Sequence, residues 1–180
     1  MVAERRPRID VVGLGPAGPD LTGLEAARLL GSSKAAFLRT RRHPAAEPFA
    51  HLPSFDDLYE RSEATEDVYA AIVEVLVQAA LLQGEALYAV PGSPTVAERS
   101  VELLAARPEV EVVVHPAASF LDLVWLCLGV DPVAASVRLP ARPPAGGSVL
   151  VGRAPLGREA LGRAPSQPAR DGAPAPRDAR

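Results

Sequence analysis

The sequence predicts an α/β fold, a parallel sheet sandwiched between helices, and three observations carry that prediction. Short apolar runs at residues 9–12, 35–39, 86–90 and 110–114 alternate with longer stretches that have helical spacing. These runs are largely apolar rather than alternating, broken only by Asp10, Arg39 and Glu111, the pattern of strands covered on both faces. Glycine- or proline-rich turns follow the first and third runs, where a strand hands over to a helix.

Taken in order, Ile9-Asp10-Val11-Val12 is a strand running into the turn Gly13-Leu14-Gly15. Thr22 and Glu25 have the spacing of a capping box, which predicts a helix over 23–30 stopped by Gly31. Residues 35–39 form the second strand. Residues 40–62 contain three prolines without sustained periodicity and read as a long loop with a turn of helix around Asp57. From 65 to 82, Val68, Ile72, Val75, Leu76, Ala79 and Leu82 recur at spacings of three and four ahead of Gly84, an amphipathic helix with its stop signal. After the third strand, Pro91-Gly92-Ser93-Pro94 makes a tight turn, and Thr95 with Glu98 suggests a second capping box opening a helix to about Ala106. The fourth strand follows. Ser119 with Asp122 then caps a last helix ending at Gly129. Right-handed crossovers would place the turns at 13–20, 91–95 and 115–119 together at the carboxyl edge of the sheet, where open α/β folds bind ligands.

Composition narrows the function. The 180 residues carry a net charge of -3 with 4% aromatics, without the basic excess and stacking groups of a nucleic-acid binder. The single Cys127 excludes an internal disulfide, and His43, His51 and His115 stand too far apart for zinc spacing. No run reaches the roughly 18 apolar residues of a membrane helix, and the short apolar run after Arg5, Arg6 and Arg8 is not a secretory signal; a cytoplasmic location is expected. The last 41 residues differ from the rest. Residues 1–139 hold 12 Lys+Arg against 19 Asp+Glu, whereas 140–180 hold 7 against 3, with 8 Pro and 6 Gly. That composition predicts a disordered, low-complexity tail behind a domain over 8–139.

Gly13, Gly15 and Gly18 satisfy the dinucleotide pattern G-x-G-x-x-G, and Arg39, Arg41 and Arg42 past the second strand would suit a 2′-phosphate. A pyrophosphate site needs the helix to start inside the glycine run. Here Pro16 and Pro19 remove two amide donors and the first helix is expected only at about Gly23. A structural tight turn and a wide loop lining a cleft remain as further readings.

Residues 13–22, Gly-Leu-Gly-Pro-Ala-Gly-Pro-Asp-Leu-Thr, resemble the opening motif of the tetrapyrrole methylases. More narrowly, Leu38-Arg39-Thr40, His43-Pro44, Phe55-Asp56-Asp57-Leu58-Tyr59 and the run from Tyr88 to Glu98 resemble the methylase-like domain fused ahead of MazG-type nucleotide pyrophosphohydrolases. Ser119-Phe120-Leu121-Asp122 and Asp131-Pro132 continue the likeness, which spans about 8–133. The resemblance implies an S-adenosylmethionine-dependent methyltransferase-like domain, with the N-terminal α/β half of a two-domain cleft and a tetrapyrrole-like substrate. Position by position it implies that Gly15 and Pro16 of the first loop, Pro91, Gly92 and Ser93 of the glycine turn, Val96 after it, and Ser119 with Phe120 line the cofactor. The family carries an acid where this chain has Ser93, and a glycine where it has Ala117. The family's second domain and the MazG metal motif are not recognisable after Leu139, which suggests an incomplete member without magnesium, one that could homodimerise. Two alternatives follow: an inactive binding module that keeps the fold, and a Rossmann-type dinucleotide domain.

Other groups have plainer readings. Asp56, Asp57, Glu60, Glu63, Glu66 and Asp67 suit a solvated loop and helix start. His43 suits a surface turn, and His115 either lines the site or caps a strand. Trp125 and Cys127 read as core. Nothing has the pattern of a nucleophile with its base, so catalytic residues are left unassigned.

Overall fold

The computed structural model describes residues 6–62 and 64–137. The disorder expected for 140–180 lies outside the described residues. Residues up to Gly129 and those from Val130 onward are two separate units.

In the first unit, β1 (Arg8–Gly13), β2 (Ala36–Leu38), β3 (Glu85–Val90) and β4 (Glu111–Val114) form one parallel sheet in the order β2-β3-β1-β4. Alternation along β1 and β3 divides the core. Ile9, Val11, Ala86, Tyr88 and Val90 face one side, with α3 (Thr65–Gln83) and α4 (Arg99–Ala105). Val12, Leu87 and Ala89 face the other, with α1 (Leu24–Ser32) and the 3-10 segment Pro44–Phe49. The sheet is thus covered on both sides, as the apolar runs predict. In the central pair, Val12 is in register with Ala89 and Gly13 with Val90. The chain therefore leaves β1 and β3 side by side at one edge.

The helix α3 buries Val68, Ile72, Val73, Leu76, Val77 and Ala80, each contributing on the order of 1–3 kcal/mol of apolar transfer. Its buried stripe is displaced from the predicted one: Val75 is 41% and Leu82 80% exposed. The helix lies against α2 (Asp56–Arg61), α4 and the sheet together, so its covered arc turns toward those neighbours. Gly84 ends it in the left-handed conformation at φ 80°, a cap that any β-carbon would strain.

Two of the three predicted capping boxes do not form. The Thr22 hydroxyl donates instead to the Leu14 carbonyl at 2.8 Å, leaving Gly23 as the uncapped start of α1, and Gly31 lies inside that helix rather than ending it. Thr95 pairs with the Ser93 hydroxyl, and the Glu98 carboxylate is bound by Arg39 and Ser100, so α4 begins only at Arg99. Thr22 is taken by Leu14 eight residues back and Thr95 by Ser93 two residues back, while Glu98 is taken by Arg39 from across the sheet edge. The third box is complete. Ser119 accepts from the Leu121 amide and the Asp122 carboxylate accepts from the Ser119 amide, starting α5 (Phe120–Leu128), which Gly129 ends at φ 62°. Residues 40–62 contain the 3-10 segment and α2, the latter where a turn around Asp57 is predicted.

Trp125 and Cys127, expected in the core, are not there. No residue of α5 is buried and Cys127 is exposed. This helix follows β4, an edge strand; its Leu121, Leu123 and Trp125 are half-buried and its other apolar residues exposed. The second unit is described from Val130 to Val137, where the Asp131 carboxylate accepts from the Val133 amide at 2.9 Å to form a turn. No described helix is long and apolar enough to cross a membrane.

Candidate functional site

Three loops meet at the carboxyl edge of the sheet. Leu14 N–H donates to the Val90 carbonyl at 2.9 Å, extending the β1–β3 ladder by one bond. Beyond it Gly15 and Gly92 exchange bonds in both directions, N–H to O at 3.2 and 2.9 Å, an antiparallel bridge that fastens the first loop to the turn after β3. Both residues have positive φ, 82° and 67°, which only glycine adopts without strain. The third loop closes on the same point. A β-carbon on Gly13 would stand 2.2 Å from the Gly92 carbonyl oxygen, 2.5 Å from the Ala117 β-carbon and 2.9 Å from Pro94, so the three loops touch there and leave no room. Gly92 is the opposite case, with nothing within 4 Å of its bare α-carbon on the β-carbon side. A ligand can approach the backbone there as it cannot at Gly13.

The first loop turns once as the 3-10 helix Pro19–Leu21, and α1 starts only at Leu24. Its leading amides therefore lie well past Gly15, and the geometry of a pyrophosphate grip on the helix start is absent. The arginines offered for a 2′-phosphate are occupied otherwise: Arg39 pairs with Glu98, Arg41 donates to the Leu52 carbonyl, and Arg42 pairs with Glu60. The dinucleotide alternative is set aside on both counts.

Of the residues predicted to line a cofactor, Gly15, Pro16, Pro91, Gly92 and Ser93 are brought together by the bridge. Gly15 and Ser93 are buried, Pro16, Pro91 and Gly92 half-buried. The Ser93 hydroxyl lies 3.0 Å from the Thr95 hydroxyl, and its carbonyl accepts from the Val96 amide at 3.2 Å, which folds Val96 back over the turn. Ser119 and Phe120 are engaged differently. The Ser119 hydroxyl is spent on its helix cap, and the Phe120 ring is 51% exposed. Ala117, two residues earlier, is the point at which that loop meets the others.

The third loop is tied down by His115. Its Nε2 lies 2.7 Å from Asp10 and its Nδ1 3.3 Å from Glu25, while its amide donates to the Val11 carbonyl. Burial alone would push the Asp10 carboxyl up, but bonds from Arg8 and His115 outweigh it and hold the group below the ordinary aspartate range. Of the two readings left open for His115, the structure shows the strand-end anchor. His43 is half-buried with its Nδ1 enclosed and without a partner among the described residues, and burial lowers its pKa. Asp56 is more than a solvated acid: it accepts from Thr40, the Arg41 amide and Ser54, fixing the chain after β2.

A set of polar residues that the motif contains, but to which sequence reasoning gives other roles, converges behind the 91–98 turn. Tyr88 lies 3.0 Å from Ser100, which donates to one Glu98 oxygen at 2.7 Å; Arg39 donates to the other at 2.7 Å. Arg39 also donates to Tyr59 at 3.0 Å and Tyr69 at 3.4 Å, and its guanidinium lies 5.8 and 5.7 Å from their ring centres. Burial alone would lower the Arg39 pKa; the Glu98 charge and the tyrosines more than offset it and keep the guanidinium firmly protonated. Burial, with Glu98 nearby, drives the Tyr88 phenol upward, so it stays a neutral donor. Arg39 and Glu98 are 59 positions apart, and no local pattern pairs them. No group of three acids, histidines or cysteines suited to a metal ion occurs among the described residues.

The family model of the tetrapyrrole (corrin/porphyrin) methylases matches residues 8–148. The chain is 38% identical over 133 residues to the uncharacterized protein YabN of Bacillus subtilis (strain 168), a match covering 70% of this chain and 27% of that one. It thus spans about a quarter of the length of that relative. Among solved structures, the native form of uroporphyrin III C-methyltransferase from Thermus thermophilus is 23% identical with a TM-score of 0.49, over 78% of this chain and 57% of that one. The same named enzyme complexed with S-adenosylhomocysteine is 21% identical with a TM-score of 0.45, over 78% and 56%.

Proposed function

This chain belongs to the tetrapyrrole (corrin/porphyrin) methylase family, and from that premise we propose that residues 8–139 are an S-adenosylmethionine-binding α/β half-domain whose rim loops line the cofactor. The observation that carries the proposal is the Gly15–Gly92 bridge. It brings the half-buried Pro16 and Pro91 and the buried Ser93 beside the open face of Gly92. A zwitterionic amino-acid group needs close backbone approach, and the apolar Val96 and Phe120 would keep the neighbouring space dry. S-adenosylmethionine, when bound, supplies an electrophilic methyl group on a sulfonium, so the protein need not furnish a nucleophile. Its residues have to orient the donor against an acceptor and exclude water. Ser119 supports that role at one remove, by starting α5 where Phe120 reaches solvent.

The acceptor in this proposal is a tetrapyrrole-like small molecule, with no role for nucleic acid, and the setting is the cytoplasm. The lineage proposed is the methylase-like domain of MazG-type pyrophosphohydrolase fusions; the tail over 140–180 is proposed as a low-complexity appendage. A second reading, a non-enzymatic module that self-associates through the same rim, is favoured by Ser93, whose hydroxyl pairs with Thr95 where the family carries an acid. Calorimetric titration with S-adenosylhomocysteine, followed by sedimentation, separates the two. One-to-one binding by a monomer supports the cofactor reading. No heat and no thermal stabilisation at millimolar ligand removes it, and ligand-independent dimerisation then supports the module.

A further inference from the structure

Between its two ends the 91–98 turn carries a strained residue and a buried charge, and both need an external hold. Ala97 sits at φ 56°, in the left-handed region that alanine rarely occupies and that persists only where the surroundings impose it. Directly after it comes Glu98, with its side chain 2% exposed and both carboxylate oxygens engaged. A buried carboxylate without its cation is strongly disfavoured, so the place of Glu98 is tied to the place of Arg39. Arg39 is itself fixed: its amide donates to the Ala89 carbonyl at 2.8 Å, and Tyr59 and Tyr69 accept from its guanidinium. The turn is therefore pinned at Gly92 by the backbone bridge to Gly15, and at Glu98 by an ion pair reaching across to the end of β2. Ser93 and Val96 lie between the pins.

We propose that Arg39 and Glu98 are positioning residues: without touching the ligand, their ion pair holds the 91–97 turn in the shape that the cofactor requires. The inference rests on the cofactor reading for its ligand, though not for its structural content. The tyrosines give the pair its direction. Tyr59 comes from α2 and Tyr69 from α3, so the guanidinium is centred by two elements that have no part in the rim. Ser100, hydrogen-bonded to Tyr88 in the core, fixes the other carboxylate oxygen. An error of the pair by one rotamer would displace the segment that carries Val96.

The test uses the full chain with Arg39→Met and Glu98→Gln combined. This removes both charges together, keeps a carbonyl oxygen for Ser100, and leaves no unpaired buried ion. Three quantities are read: the melting temperature, the amide exchange rates of Gly92 and Val96, and the affinity for S-adenosylhomocysteine. The double variant is expected to melt close to the wild type, with the Gly92 and Val96 amides exchanging roughly tenfold faster while those inside β1 and β3 are unchanged. Affinity is expected to fall about tenfold, and Arg39→Lys, which keeps the charge but not the fork, should recover part of both effects. Unchanged exchange at Gly92 and Val96 in a folded double variant overturns the proposal. Should that variant not fold, Arg39→Lys, which keeps the Glu98 charge paired, decides it by the same amide exchange. A wild type that fails to bind, with exchange still accelerated in the variant, sinks the cofactor reading and leaves the positioning claim standing. Binding by both proteins with unchanged exchange does the reverse.

Discussion

The first and third rim loops reach the same point by opposite means. The loop after β1 has no helix cap and is shaped by one distant partner, Gly92, together with its own returns, Leu21 packed against Gly15 and the Thr22 hydroxyl bound back to Leu14. The loop after β4 leads into a helix with a complete local cap, yet that helix buries none of its side chains. Local bonds decide where a helix begins, but only a neighbour decides whether its apolar face is covered. A rim fastened by tertiary contacts should be intolerant of small changes, and α5 tolerant of large ones.

Substitutions can break or sharpen that contrast, and the largest effect is expected at Gly13. Gly13→Val places a branched side chain where a single β-carbon already meets the Gly92 oxygen at 2.2 Å, and should cost more than about 4 kcal/mol. Denaturant melts would read it as loss of the cooperative transition. Glu98→Ala leaves the half-buried Arg39 charge without its partner and is expected to cost about 3 kcal/mol in the same melts.

At the base of the third loop, Asp10→Asn weakens the bonds to Arg8 and His115 by about 1–2 kcal/mol at neutral pH. The sign with pH follows from the direction of the shift. Because the folded carboxyl lies below its ordinary range, its contribution is full above that range and is lost as pH falls through the folded value. The wild type should therefore lose stability toward acid more steeply than Asp10→Asn, and parallel acid titrations of the two would refute this. Ser119→Ala removes the cap of α5 and should cost about 1 kcal/mol, seen in melts as a small shift. The smallest effect belongs to Leu126→Lys on the exposed face of α5, within about 0.5 kcal/mol, with improved solubility. A loss above 2 kcal/mol there would mean that this face is covered in solution.

The elements themselves are legible because strands covered on both faces leave largely apolar runs, and Gly84 and Gly129 mark helix ends by a conformation few other residues accept. The edge at which the loops gather also followed, since parallel strands send every following loop the same way. The boxes at Thr22 and Thr95 do not form because Thr22 binds back to Leu14, Thr95 pairs with the neighbouring Ser93, and Glu98 is taken by the distant Arg39. For the same reason Arg39 reads from sequence as a phosphate ligand although Glu98 neutralises it. The displaced stripe of α3, the half-burial of Trp125 and the exposure of Cys127 reflect which elements lie alongside, information that periodicity does not contain.

The central claim, that three loops at one edge form a single cofactor-lining rim, is tested most directly by mapping amide resonances of the full chain during titration with S-adenosylhomocysteine. Shifts are expected to concentrate at Gly15, Gly92, Ser93, Val96 and Ala117, with little change at the opposite ends of the strands around Arg8, Gly84 and Glu85. Shifts centred on those opposite ends, or none at saturating ligand, would contradict it.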